Sequence, residues 1–160
     1  MLLDYLKTKY RELLDEGWAA YEMGNLRKAE EHFSKIIANE DDPDNSPGTI
    51  LEAHAAMGIM NLRHRDLFEA NRWLQECMYI LERRYPNDLP KKLDWKRLED
   101  RAIMRVLIGL GHLAYEKKDG NRAKLYYGKL VKADRRDELG VRRYLEALEQ
   151  GIPFSEMDFF

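Results

Sequence analysis

Apolar side chains return every three or four positions through most of the chain. Near the start they fall at Leu2, Leu3, Leu6, Tyr10, Leu13, Leu14 and Ala20, the spacing of one buried face on an α-helix running to Met23. Gly24 is placed to end that helix, and Asn25 to cap the next one. This second helix reaches about Asn39, with Ala29, Phe33 and Ile36 on one stripe. Glu40 to Gly48 reads as an acidic loop broken by Pro43 and Pro47,. Thr49 with Glu52 predicts a capping box for a third helix to about His64, and Asp66 with Glu69 predicts another for a fourth helix to about Arg84,. Pro86 and Pro90 mark a loop after Tyr85. A fifth helix is predicted from near Asp94 to Lys117 or Lys118, and a sixth from Asp119 through Ala123, Tyr127 and Leu130. The last runs from about Asp137 to Gln150, where Gly151 and Pro153 stop it.

Three features recur at shared offsets. Gly17, Gly58 and Gly111 are separated by 41 and 53 residues, and so are Ala29, Ala70 and Ala123, and the caps Asn25, Asp66 and Asp119. Small residues let two helices approach closely, and Phe33, Leu74 and Tyr127, four residues after each alanine, fill the space between units. The pattern resembles the tetratricopeptide repeat, a helix–turn–helix unit of about 34 residues. Leu13, Gly17, Ala20, Gly24, Ala29, Phe33 and Ile36 carry the resemblance in the first unit. Met57, Gly58, Ala70, Leu74 and Cys77 carry it in the second, and Leu107, Leu110, Gly111, Ala114, Ala123, Tyr127 and Leu130 in the third.

The resemblance implies an all-α fold, a right-handed stack of helical hairpins closed by a C-terminal capping helix. Its expected limits are a single domain over 1–150, with repeats at about 10–43, 51–84 and 104–137, a capping helix over 137–150 and a tail over 151–160. The unit spacings exceed the family's by about 7 and 19 residues. The longer insertion is expected to extend the fourth and fifth helices into a projecting hairpin.

Composition narrows the function classes. The chain of 160 residues is 44% hydrophobic and 35% charged, which suits one helix-rich globular domain. A net charge of −2 gives no general pull toward nucleic acid or anionic membranes,. The single cysteine, Cys77, allows no internal disulfide and reads as an inert core thiol,. Met1 to Lys7 lacks a leader pattern and no apolar run approaches the ~18 residues that span a bilayer, so a cytoplasmic location and no membrane partner are expected. His32, His54, His64 and His112 are scattered without metal-ligand spacing, and no nucleophile elbow, P-loop or dinucleotide fingerprint occurs,. The expectation is a protein that is not an enzyme and holds no cofactor or metal.

In the tetratricopeptide family the first helix of each unit lines a concave groove. The resemblance therefore points to Leu14, Trp18 and Tyr21, to Ala55, Ile59 and Leu62 with Arg63 beside them, and to Ile108, His112 and Tyr115 as a peptide-binding groove. The implied function is a scaffold or adaptor for a protein or peptide segment; the alternative reading makes these rings core. The places that hold lysines and asparagines in carboxylate-binding members carry Leu14, Trp18, Ala56 and Arg105 here, so an apolar ligand is expected. His54 and Asn61, one heptad apart, are expected to share a buried hydrogen-bond network,.

Lys91, Lys92, Arg97, Arg101 and Arg105, with Lys96, Arg83 and Arg84, make the expected hairpin over 83–105 basic. Arg135, Arg136, Arg142 and Arg143 form a second basic stretch. RNA or another anionic partner is the alternative function, weighed against interspersed Glu82, Asp88, Asp94, Glu99 and Asp100 and few aromatics, so a solvated face is the simpler reading,. A small secretion-type chaperone is a third reading. The tail, Ile152 to Phe160, sets three phenylalanines and a methionine among acidic residues. It either frays, covers apolar surface at the end of the stack, or docks on a neighbouring copy, so self-association through the tail or the hairpin is an option.

Overall fold

The computed structural model describes residues 2–157, with side chains from residue 9 onward. Expectations resting on the side chains of Leu2, Leu3 and Leu6, or on Asp158, Phe159 and Phe160, lie outside the described residues. Within them the chain is all-helical: α1 (Leu2–Glu22), α2 (Leu26–Ala38), α3 (Pro47–Arg63), α4 (Leu67–Arg84), α5 (Leu98–Glu116), α6 (Gly120–Ala133) and α7 (Arg142–Glu149), then a 3-10 turn at Phe154–Glu156. Among the described residues there is no strand, and no helix is long and apolar enough to cross a membrane.

Three helix pairs, α1–α2, α3–α4 and α5–α6, are joined by the same turn. Its left-handed residue is Gly24 (φ 78°), Arg65 (φ 61°) or Lys118 (φ 63°), so the 41- and 53-residue offsets hold for backbone conformation as well. In each turn the next residue's amide returns to the carbonyl five positions back: Asn25 to Ala20, Asp66 to Asn61 and Asp119 to Ala114, all at 2.9 Å. The same residue then caps the following helix, accepting from Lys28, Glu69 or Arg122 N–H at 3.1–3.2 Å,. Only the first of the left-handed positions is a glycine, so sequence inspection finds the caps more readily than the turns.

Packing explains the conserved spacing of small and large residues. A Cβ built on Gly17 would lie 2.6 Å from the Phe33 ring, on Gly58 2.7 Å from Leu74 Cγ, and on Gly111 2.3 Å from the Tyr127 ring. Each bulky residue thus presses on the glycine of its own unit, which corrects the expectation that it fills space between units. Leu74 does both, since a Cβ on Gly109 would also meet it at 2.8 Å. Helix α3 packs against α1, α2, α4 and α5, and α5 against α3, α4 and α6. These two helices are therefore apolar nearly all round, unlike the one-sided outer helices,.

Several predicted boundaries move. Helix α3 begins at Pro47, capped by Ser46 accepting from Thr49 N–H at 3.2 Å, and Glu52 is buried in the protein rather than closing a capping box. Helix α5 starts at Leu98 and α7 at Arg142, later than Asp94 and Asp137 suggested. Asp137 instead sits in a left-handed turn (φ 52°), its carboxylate accepting from Val141 and Arg142 amides.

The insertion between α4 and α5 does not project. Pro86 and Pro90 keep residues 85–97 out of helix,, and Leu93 is buried with its amide donating to the Ala133 carbonyl at 3.0 Å. The segment therefore folds back on the C-terminal end of α6, and a free hairpin for RNA or self-association is absent among the described residues.

At the far end the turn recurs a fourth time. Gly151 has φ 70° and the Ile152 amide returns to Ala147 at 2.9 Å. Here the position seven before the turn, glycine in the three pairs, is Tyr144. Among the described residues no long second helix crosses it, and its ring fills that space by stacking on Tyr127 at 5.5 Å.

Candidate functional site: a filled groove and a basic cleft

The groove expected from the sequence is occupied by the chain itself. Leu14, Trp18, Tyr21, Ile59, Leu62, Ile108, His112 and Tyr115 are all buried, with Trp18 only 7% and Tyr115 6% exposed. Arg63 alone of the groove set is exposed; its guanidinium lies over the Tyr21 ring at 5.1 Å and donates to the Tyr21 carbonyl at 3.3 Å. Two covers lie over the rings of Trp18, His112 and Tyr115. The tail places Phe154 5.1 Å from both His112 and Tyr115, and Tyr115 Oη donates to the Ile152 carbonyl. At the other end Arg105 of α5 lies 3.9 Å over the Trp18 ring of α1.

Arg105 belongs to an internal ionic cluster. Glu52, fully buried on α3, takes Arg101 Nε at 3.1 Å, Arg105 Nε at 3.6 Å and the Trp18 indole N–H at 3.0 Å. Asp15 adds a longer contact to Arg101 at 3.6 Å, and Trp95 lies beneath both guanidinium groups at 5.6 and 5.0 Å. Burial pushes the Glu52 carboxyl above its ordinary value against the pull of the two arginines, and pushes Arg105 below its own. The cluster ties α1, α3 and α5 together. Sequence reasoning missed it, although Glu52 is the one carboxylate between Asp44 and Asp66 and invites the question of its partner.

The other singled-out polar residues are structural. His54 faces Glu40 at 3.8 Å and lies 5.4 Å from the Trp73 ring, whereas Asn61 donates to the Met57 carbonyl at 2.8 Å, so the two share no network. Burial lowers the His54 pKa, and it lowers that of His112 to about 3, with Arg143 adding to the effect. His112 Nδ1 and Tyr127 Oη are 2.7 Å apart in an aromatic nest closed by Tyr144 and Phe154. Cys77 is buried, which pushes its thiol up and away from the reactive thiolate,.

Of the expected basic patch, Arg101 and Arg105 have turned inward, whereas Lys91, Lys92 and Arg97 remain exposed. Because the linker folds onto α6, these three meet the second basic stretch. A cleft of about 670 Å³ is lined by Lys91, Lys92, Lys96 and Arg97 on one side and by Lys132, Arg135 and Arg136 on the other. All seven cations are exposed, and among the described residues none makes an ion pair.

Three of the four acidic residues of the same cleft accept hydrogen bonds from backbone amides. Asp94 accepts from Lys96 N–H, Asp100 from Asp94 N–H, and Asp134 from both Arg136 and Glu138 N–H, at 2.9–3.2 Å. These carboxylates keep their charge, but seven cations against four carboxylates leave the lining net positive, so the cleft focuses a positive field,. The signal was available in the charge distribution. Residues 1–90 carry 11 basic and 17 acidic side chains, and residues 91–150 carry 16 basic and 10 acidic. A net charge of −2 conceals this polarity. Arg142 and Arg143 lie on α7 outside the cleft lining.

No protein-family model, curated protein or solved structure matches the chain.

Proposed function

We propose that the chain is a tetratricopeptide-like, right-handed stack of three helical hairpins with a capping helix, acting as a non-catalytic scaffold or adaptor that holds an anionic partner in the basic cleft. The repeated turn and the glycine pressed by a bulky side chain in each pair support the tetratricopeptide-like build. The binding role moves from groove to cleft because the groove residues already have occupants from the chain itself. One observation carries it: seven exposed cations, none of them in an ion pair among the described residues, converge on a concavity with only four carboxylates. Phosphate or carboxylate on a partner would supply the missing counter-charge.

Retention on immobilised heparin tests this reading. Wild type should need distinctly more salt for elution than a Lys132→Glu/Arg136→Glu variant with an unchanged circular-dichroism spectrum. Both positions are exposed and unpaired, so the variant should fold. Coelution of the two proteins would overturn the proposal.

A further inference from the structure

The cationic surface continues beyond the cleft. On α6, Arg122, Leu125, Lys129 and Lys132 fall at i, i+3, i+7 and i+10, opposite the buried Ala123, Tyr127 and Leu130, and all four are exposed,. From Gly120 to Ala133 the helix has four cations and no carboxylate. Asp119, just before it, caps the helix by accepting from Arg122 N–H. The stripe rises about 15 Å along the helix axis and enters the cleft at Lys132. A compact anion would need the cleft alone. A row of cations leading into it suits a chain with regularly repeated charge.

Two lining residues refine the chemistry of that chain. Trp95, half-buried with Arg101 and Arg105 over its ring, also lines the cleft beside the cations, and bases stack on aromatic side chains whatever their sequence. Glu138 is the one lining carboxylate that no backbone amide engages among the described residues. An acceptor amid phosphate-binding cations suits a ribose 2′-hydroxyl, the group that distinguishes RNA from DNA. Resting on the reading of the cleft as an anion-binding site, we propose that single-stranded RNA lies along the α6 stripe and enters the cleft, with its backbone on the cations and a base against Trp95.

The test is fluorescence anisotropy of the full chain with a labelled single-stranded oligoribonucleotide, the DNA of the same sequence, and a polyglutamate peptide. If about five phosphates are met, RNA affinity should fall roughly a hundredfold between about 50 and 200 mM salt. Lys129→Glu, outside the cleft lining, should weaken RNA about tenfold or more. Lys35→Glu on α2, with the same charge change, should leave it unaltered. Glu138→Gln should narrow the preference for RNA over DNA. RNA binding indifferent to Lys129→Glu, DNA held as tightly as RNA, or polyglutamate held as tightly as RNA would overturn this inference while leaving the anionic cleft in place. Failure of every polyanion to bind at low salt would overturn both.

Discussion

Gly111→Ala tests the close approach of α5 and α6. A methyl carbon there would lie 2.3 Å from Cε1 and 2.7 Å from Cδ1 of Tyr127, where ordinary contact begins at 3.4 Å. The ring would have to retreat by about 1 Å. It is fully buried, stacked on Tyr144 at 5.5 Å and held at its hydroxyl by His112 at 2.7 Å, so its exits are blocked. Overpacking of this kind costs about 1–3 kcal/mol, and alanine recovers about 1 kcal/mol of helix propensity. With the ring clamped, the overpacking cost should fall at the upper end, leaving a net loss of about 2 kcal/mol. That corresponds to a melting temperature lower by roughly 4–8 °C in a chain of this length. Gly128→Ala, on α6 with nothing within 4 Å of its added methyl, is the control. It should gain up to about 1 kcal/mol and melt roughly 2–4 °C higher. Thermal melts followed by circular dichroism distinguish the two. If Gly111→Ala melted at or above wild type, the account of why these glycines recur with their bulky partners would be wrong.

Other substitutions probe the remaining supports. Glu52→Ala leaves Arg101 and Arg105 without their buried counter-charge and should cost about 3–5 kcal/mol in urea unfolding; a loss below about 1 kcal/mol would show that the guanidinium groups reach water without it. Phe154→Ala removes the ring that covers His112 and Tyr115 and should cost about 3–5 kcal/mol. Wild-type melting of that variant would make the tail dispensable. His112 predicts a pH dependence with a definite sign. Its pKa falls from 6.5 to about 3 on folding, so between those values the unfolded chain binds a proton that the folded chain excludes. This contribution is fully present above about pH 6.5 and is lost as pH falls toward 3, by up to about 1.4 kcal/mol per unit. Urea midpoints between about pH 7 and 5 should therefore fall less steeply in His112→Gln than in wild type. Equal slopes would refute the assignment to His112.

The sequence by itself determined the helices, their pairing and most of their caps. These are local matters: periodicity declares a buried face, and Asn25, Asp66 and Asp119 satisfy amides within three residues of themselves,. It also located the recurring glycines and bulky residues, because their offset is constant along the chain, but that each bulky residue presses on the glycine of its own unit came from the packing. The tertiary structure alone decided which faces remain available. Trp18 and Tyr115 have the spacing of a groove lining, yet they are covered by Arg105 from α5 and by the tail, across separations that no local pattern records. Glu52 looks like a helix cap until two arginines about fifty residues away are brought beside it. The cleft likewise needs residues 91–97 folded onto the end of α6. Only then do two separate basic stretches become one field. Local hydrogen bonds and periodicity can be read along a chain, whereas cover and charge pairing depend on what folding brings across it.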